Sequence, residues 1–423
     1  MSRYYQPGPE TLVRDKLESL QLRRLAATLK LVWTRNPRQK ERLARAGFSP
    51  GGVSSLADLE HLPLMDKETF RSAYPLGLSC VAPDEIAEMH MSSGSTGTPV
   101  VMPYTGRDLA QWGDCMARCY VMAGGKKGDP VQITPSFGLF NGGFGMYHGA
   151  RAAGLFIIPT GAGNTRRQIR LAQDFHTRII TGVVSYGIRL LEVLEETGLD
   201  LPDLQIGIFG AESFSEAMKT KIGRGLGVDV FDIYGMTETG GVGTLGMDCP
   251  DHNGIHVWED HYLVEIVEPD STRVLPDGEE GELVVTSLTR EALPIVRFRT
   301  GDLTRVLSRQ RCACGRTGLR LAPITGRVDD MLVVKGINFF PRQVEEILMR
   351  IPGLGPNYQI VVEENEGVSQ VRINVEGEGV TGATVLKALK EGLGFSPAGD
   401  VWPPGSLPRP PGKARRVIHR RRS

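Results

Sequence analysis

The sequence predicts an α/β protein with a large N-terminal domain of parallel and mixed sheets and a small α+β C-terminal domain. Three observations carry this expectation. Between 150 and 235 short apolar runs alternate with amphipathic segments, the order that right-handed crossovers impose on a buried parallel sheet. From 261 to 306 the pattern changes to a hairpin, and after about residue 330 strands and helices follow in mixed order over about ninety residues, a usual size for a domain. The boundary is expected at 327–330, between a domain spanning 1–326 and one spanning 331–423.

Composition narrows the function. The 423 residues carry 49 Lys plus Arg and 49 Asp plus Glu, so no global field attracts nucleic acid or an anionic membrane. The N-terminus lacks the basic-then-apolar pattern of a signal peptide, and no uncharged apolar run approaches the ~20 residues that cross a bilayer. A cytoplasmic location is the expectation. Six cysteines are too few for a disulfide scaffold in a chain of this size, which turns clustered ones toward metal or catalysis.

In chain order, Leu12, Leu17, Leu20, Leu25 and Leu29 recur among charged residues at a roughly helical spacing, which predicts an amphipathic helix within 9–33. Ser92, Ser93, Gly94, Ser95, Thr96 and Gly97 form a hydroxyl-rich, glycine-punctuated loop able to turn successive amides and hydroxyls toward a polyphosphate. It lacks the lysine of the common phosphate loop, so a plain polar turn remains the alternative. Strands are expected near 154–158, 179–184, 204–209 and 228–233, with helices near 165–175, 187–197 and 213–226. Ligands belong at the C-terminal ends of such strands. Two stretches sit there, Gly210-Ala211-Glu212 and Tyr234-Gly235-Met236-Thr237-Glu238-Thr239. A tyrosine ring offers a flat face to a base, and a Thr-Glu-Thr run can hold hydrated Mg²⁺ near phosphates, although a capped strand-to-helix turn explains each stretch singly. Asp302, ending Arg297-Phe-Arg-Thr-Gly-Asp, can accept both hydroxyls of a ribose. The Pro/Gly-rich segment 403–412 leads to Lys413, a flexible point charge suited to phosphates or to a basic surface tail.

Taken together, Ser92–Pro99, Tyr234–Glu238, Arg299–Asp302, Gly326–Asp330 and Gly412–Lys413 stand in the order seen in adenylate-forming enzymes. More closely, the chain resembles the phenylacetate-CoA ligase family through Gly207-Ile-Phe-Gly-Ala-Glu212, Ile255-His-Val-Trp-Glu-Asp-His261, Leu288-Thr-Arg-Glu-Ala-Leu-Pro-Ile295 and Val334-Lys-Gly-Ile-Asn-Phe-Phe-Pro341. The resemblance implies a two-step reaction. A carboxylate attacks the α-phosphate of ATP to give an acyl-adenylate and pyrophosphate, and the thiol of CoA then displaces AMP. It also implies a mobile C-terminal domain that pivots at Asp329, with Lys413 as the cation of the first step. Residues 92–97 would hold the β- and γ-phosphates. Gly210, Ala211, Glu212, Asp232, Tyr234, Gly235 and Met236 would frame the adenine, and Thr237 and Glu238 would hold phosphate and Mg²⁺. Asp302 and Arg327 would take the ribose and nearby groups, and Lys335 is counted with the nucleotide set.

The acid pocket departs from the family. Where relatives often have Tyr and a Pro-Trp pair, this chain has Phe137 and Ser213-Phe214. Phe137, Phe140, Gly142, Ala211 and Phe214 are the expected lining of an apolar, ring-sized slot, with ordinary core packing as the alternative for the phenylalanines. Cys312-Ala-Cys314 and Cys249, with His252 and His256 nearby, make a Cys₃His metal site of unusual C-x-C spacing. Because zinc-bearing relatives resemble the chain at Gly-x-His-x-Trp-Glu-Asp, the expected ligands of a structural Zn²⁺ are Cys249, His256, Cys312 and Cys314. Cys80, Cys115 and Cys119 read as small buried residues. The leading expectation is an aromatic-acid CoA ligase using ATP, Mg²⁺ and CoA, with a homodimer allowed and neither nucleic acid nor membrane as partner. The alternatives are adenylation with a carrier protein, amine or hydroxyl as acceptor, and a non-catalytic nucleotide-binding relative.

Overall fold

The structure, a computed structural model, describes residues 3–49, 51–92, 98–334, 337–365, 368–409 and 416–421. Contacts divide the chain into two compact units, Met1–Gly182 with Asp203–Ala211 and Phe231–Pro323, and Val183–Pro202 with Glu212–Val230 and Ile324–Ser423.

In the first unit the helix Arg14–Arg35 buries Leu17, Leu25, Leu29 and Val32, one stripe at helical spacing. Leu25, Leu29 and Val32 pack with Leu43, Leu59, Leu62 and Val296. Strands Glu88–Met91 and Val101–Tyr104 form an antiparallel hairpin from Glu88 opposite Tyr104 to Met91 opposite Val101. Ser92 closes it: its N–H donates to Val100 O and its Oγ accepts from Val100 N–H, both at 2.9 Å. Ser93, Gly94, Ser95, Thr96 and Gly97 of the expected phosphate loop lie outside the described residues.

Two helices, Gly106–Met122 and Asn141–Ala152, have no counterpart in the sequence pattern. The first is capped reciprocally by Thr105 and Asp108 and buries Trp112, Cys115, Met116, Cys119 and Tyr120 completely. Burial on nearly every side removes the stripe that reveals a surface helix. The second contains Gly142, Gly143, Gly145 and Gly149, poor helix formers kept for close approach. A Cβ on Gly149 would stand 2.1 Å from that of Met116.

The central nine-stranded sheet runs in the order Val306–Ser308, Arg320–Leu321, Ile255–Val257, Gly246–Asp248, Asp229–Tyr234, Ile206–Gly210, Ile179–Val183, Pro130–Ile133 and Phe156–Ile158. Pro130–Ile133 pairs in parallel with both of its neighbours, whereas Asp229–Tyr234, Gly246–Asp248 and Ile255–Val257 pair antiparallel. The hairpin Tyr262–Val267 with Gly281–Ser287 has Tyr262 opposite Ser287 and adds Phe298–Thr304 antiparallel.

In the second unit a four-stranded sheet places Leu354–Asn365 between Val368–Gly377 and Val417–Arg421, with Ala398–Trp402 outermost. Helices Pro341–Met349 and Gly382–Leu393 supply Val344, Leu348, Val385 and Leu389 to its core. Helix Glu216–Leu226 joins the same unit through Glu345, which accepts from Ser215 N–H at 2.8 Å and from Tyr358 O–H at 3.1 Å.

Candidate functional site

Strand Asp229–Tyr234 delivers Tyr234, whose O–H donates to Asp302 Oδ2 at 2.6 Å. Asp302 is held in turn, since its N–H donates to Thr300 Oγ1 at 3.0 Å and the preceding Gly301 N–H donates to Glu282 Oε1 at 2.9 Å. Glu282 also pairs with Arg299. One fixed carboxylate therefore meets one phenol, an arrangement that orders both an aromatic face and an acceptor. Asp232, half-buried, donates its N–H to Asp248 Oδ1 at 2.8 Å.

Beyond Tyr234 the chain turns through Gly235, where a Cβ would stand 2.3 Å from Gly241 O, so only glycine fits. Half-buried Met236 precedes a 3₁₀ turn, Thr237–Thr239, in which Thr237 and Glu238 are buried. Asn141 ties the turn down: Nδ2 donates to Thr237 Oγ1 at 2.8 Å and Oδ1 accepts from Val242 N–H at 3.1 Å. Accepting that bond leaves the Thr237 O–H proton for another acceptor. Tyr262 O–H reaches Thr239 O at 2.6 Å. Asn141 was not recognised in the sequence.

At the neighbouring strand end, a Cβ on Gly210 would stand 2.3 Å from Ile233 O, and Ala211 has φ 65°. A left-handed alanine stores local strain and keeps the corner tight. Around the expected acid slot, half-buried Phe137 meets Phe144 edge-on at 5.4 Å and Tyr147 at 6.4 Å. Gly142 lies against Pro135, whereas Phe140 is 53% exposed. In the second unit Glu212 Oε2 accepts from Ser185 N–H at 2.7 Å, Phe214 is buried, and Arg327 pairs with Asp329 at 2.9 Å. Lys335 and Lys413 lie outside the described residues.

Cys249, His256, Cys312 and Cys314 converge, their ligand atoms all within 4.8 Å of one another. A tetrahedral ion with bonds of about 2.3 Å to sulfur and about 2.0–2.1 Å to nitrogen sets S···S near ~3.8 Å and S···N near ~3.5 Å. Cys249 Sγ lies 3.7 Å from Cys312 Sγ, and Cys314 Sγ lies 3.5 Å from His256 Nε2. His256 Nδ1 is buried and unpaired among the described residues, so three thiols and an imidazole crowd together with their hydrogen bonding incomplete. The donor set fits a metal ion. The Cys249 hydrogen bond first, then the His256 ring, hold the Cys314 thiol far below its usual range, toward the thiolate a metal needs. His252 is engaged elsewhere, at 2.7 Å from Asp248 and tilted over Phe231. Arg316 links the cluster to the N-terminal segment, through Glu10 at 2.6 Å and a contact with Cys314 Sγ at 3.8 Å.

The class of the protein, adenylate-forming, follows from the comparisons with known proteins. The family model described as AMP-binding enzyme matches residues 16–289, and the one for the AMP-binding enzyme C-terminal domain matches 336–421. The chain belongs to the AMP-binding enzyme family. It is 38% identical to a phenylacetate-coenzyme A ligase of Thermus thermophilus over 99% of this chain and all of that one. It is 37% identical to one of Escherichia coli, over 97% and 96%. Among solved structures, a 2-hydroxyisobutyryl-CoA ligase in its postadenylation state with an acyl-AMP superposes with a TM-score of 0.92 at 27% identity, covering 99% of this chain and 93% of that one. The same ligase with CoA in its thioesterification state gives 0.75.

Proposed function

We propose that this protein is an AMP-forming acid–CoA ligase that activates an aromatic, arylacetic-type carboxylic acid as the acyl-adenylate and passes it to CoA. The full-length similarity to phenylacetate-coenzyme A ligases carries this reading. The Tyr234–Asp302 bridge supports it physically, because it presents a base-sized ring and a ribose-ready carboxylate together.

In the first step the acid's carboxylate oxygen attacks the α-phosphorus and pyrophosphate leaves; in the second the CoA thiolate attacks the acyl carbon and AMP leaves. Such transfers need positioned charge more than covalent catalysis. Thr237 would orient a phosphate oxygen through its O–H, and Glu238 would hold Mg²⁺, which would neutralise phosphate charge. Lys413 supplies a cation in adenylation, and Asp329 is the pivot between 1–326 and 331–423. Phe137 and its aromatic neighbours form the wall of the acid slot. Zn²⁺ at Cys249, His256, Cys312 and Cys314 is structural, because four protein ligands leave no open position. No helix among the described residues is long and apolar enough to cross a membrane. A cytoplasmic location and a homodimer complete the proposal.

The test is acid-dependent ATP–pyrophosphate exchange over phenylacetate, indoleacetate, benzoates and short fatty acids, each repeated with CoA. Exchange strongest with an arylacetate and converted to acyl-CoA is the expected outcome. Exchange without CoA consumption would assign another acceptor, and silence with every acid would end the ligase reading.

A further inference from the structure

Beneath the aromatic wall lies a cluster that the reaction as described does not use. Glu88 and His90 stand two residues apart on strand Glu88–Met91, so both side chains leave the same face. His90 is 1% exposed. Its Nε2 is 2.6 Å from Glu88 Oε1, and its Nδ1 is 3.3 Å from the carbonyl oxygen of Leu139. His148, on helix Asn141–Ala152, brings its own Nε2 to 3.3 Å from the same Glu88 oxygen.

Burial works to raise the Glu88 carboxyl, but the hydrogen bonds from His148 and His90 outweigh it and bring it down to about 2. Glu88 is therefore a carboxylate, which only accepts, so the Nε2 side of the His90 ring is held by it at 2.6 Å and the Nδ1 side is turned to Leu139. Aromatic rings enclose the imidazole. Tyr104, Trp112 and Phe144 place their rings 5.5, 5.4 and 5.5 Å from the His90 ring.

The carbonyl that His90 holds belongs to the loop carrying Phe137. Leu139 O accepts from Met91 N–H at 2.8 Å, so two residues of one strand, Met91 and His90, meet this single carbonyl. Phe144 links the two sides, touching His90, His148 and Phe137 at 5.5, 6.2 and 5.4 Å. We propose that Glu88 and His90 are positioning residues for the acid slot: the Glu88 carboxylate fixes the orientation of the His90 ring, and the ring, seated against the Leu139 carbonyl, sets that residue and with it the placement of Phe137. This rests on Phe137 lining the acid slot.

The experiment compares wild type, E88Q, E88D, H90N and F137A in phenylacetate-dependent ATP–pyrophosphate exchange, with ¹⁵N NMR of the histidine rings and a thermal melt for each. E88Q and H90N are expected to raise KM for phenylacetate about tenfold, the worth of one charge-assisted hydrogen bond, with KM for ATP within about twofold of wild type. E88D, which keeps the charge, is expected to recover much of the loss. The wild-type His90 ring should show its proton on Nε2, facing Glu88, and its nitrogen resonances should shift in E88Q. A wild-type ring without a proton on Nε2 would overturn the proposal, as would unchanged acid KM in E88Q and H90N where F137A raises it. An F137A variant with unchanged acid KM would overturn the slot assignment and this proposal with it. Absence of exchange in the wild type would refute the substrate reading, and the ring signature would then decide the Glu88–His90 arrangement by itself.

Discussion

The Tyr234 hydroxyl spends its proton on Asp302 at 2.6 Å, so the phenol orders the carboxylate as much as it presents a ring. Y234F is predicted to free Asp302 and raise KM for ATP by about tenfold while leaving KM for the acid unchanged, as a hydrogen bond to a charged group would dictate. Equal effects on both substrates in exchange kinetics would show that Tyr234 serves the fold alone. At Lys413 the expectation is different in kind. K413A should slow adenylation by about 10²- to 10³-fold and spare thiolation from preformed acyl-adenylate, by analogy with loss of one transition-state donor. Rapid-quench measurement of the two half-reactions separates these outcomes, and parallel losses would remove the assigned role. Both residues were legible as types at suggestive places in the sequence. Asn141 and His90 were not, because their roles consist of contacts with Thr237 and Leu139, partners 96 and 49 residues away.

At the scale of elements, the Cys249–His256–Cys312–Cys314 cluster joins the loop around Cys312–Cys314 to strand Ile255–Val257 and to the N-terminal segment. Arg316 donates to Glu10 Oε2 and to Arg3 O, and Tyr4 O–H reaches Cys314 O at 3.3 Å. Metal loss should therefore be felt first at the N-terminus. C312S is predicted to carry no stoichiometric zinc by elemental analysis, to melt roughly 5 °C lower or more, and to become sensitive to proteolysis within residues 3–12. Wild-type protein purified without chelator and free of metal would dispose of the site. The cysteine spacing marked three members of the cluster and the family resemblance pointed to His256 as the fourth; in the fold His252 is turned to Asp248 while the strand carries His256 to Cys314.

Across the whole molecule, a buried ionic network sets how stability responds to acid. Arg118 pairs with Asp260 at 2.7 Å, and His261 lies 3.2 Å from the same carboxylate and 2.9 Å from Thr289 Oγ1. Burial lowers the His261 ring from 6.5 to about 4; Asp260 opposes the shift, and Arg118 and Arg24 add to it. The unfolded chain thus takes up a proton below pH 6.5 that the folded chain refuses until about 4, and stability falls across that window as pH falls. Glu88, brought down to about 2 from 4.5, adds a second loss that begins below 4.5. H261Q is predicted to flatten the decline in Tm between pH 6.5 and 4 and to leave the decline below it. A variant that follows the wild-type curve throughout would show that other groups set the acid response.

What the sequence determined by itself was whatever is written in local pattern. Period-two and period-3.6 hydrophobicity marked the strands and surface helices from 150 to 235 and the C-terminal elements, and the turn chemistry after two strands marked Gly210–Glu212 and Tyr234–Thr239. What only the tertiary structure decided was everything that depends on chain closure. Helices Gly106–Met122 and Asn141–Ala152 are buried on too many sides, or too rich in glycine, to leave a periodic trace. The bond from Asn141 to Thr237 and the seating of the His90 ring against Leu139 each arise when distant segments meet. Residue type limits what a side chain can do; its partners, brought together by packing, select which of those things it does.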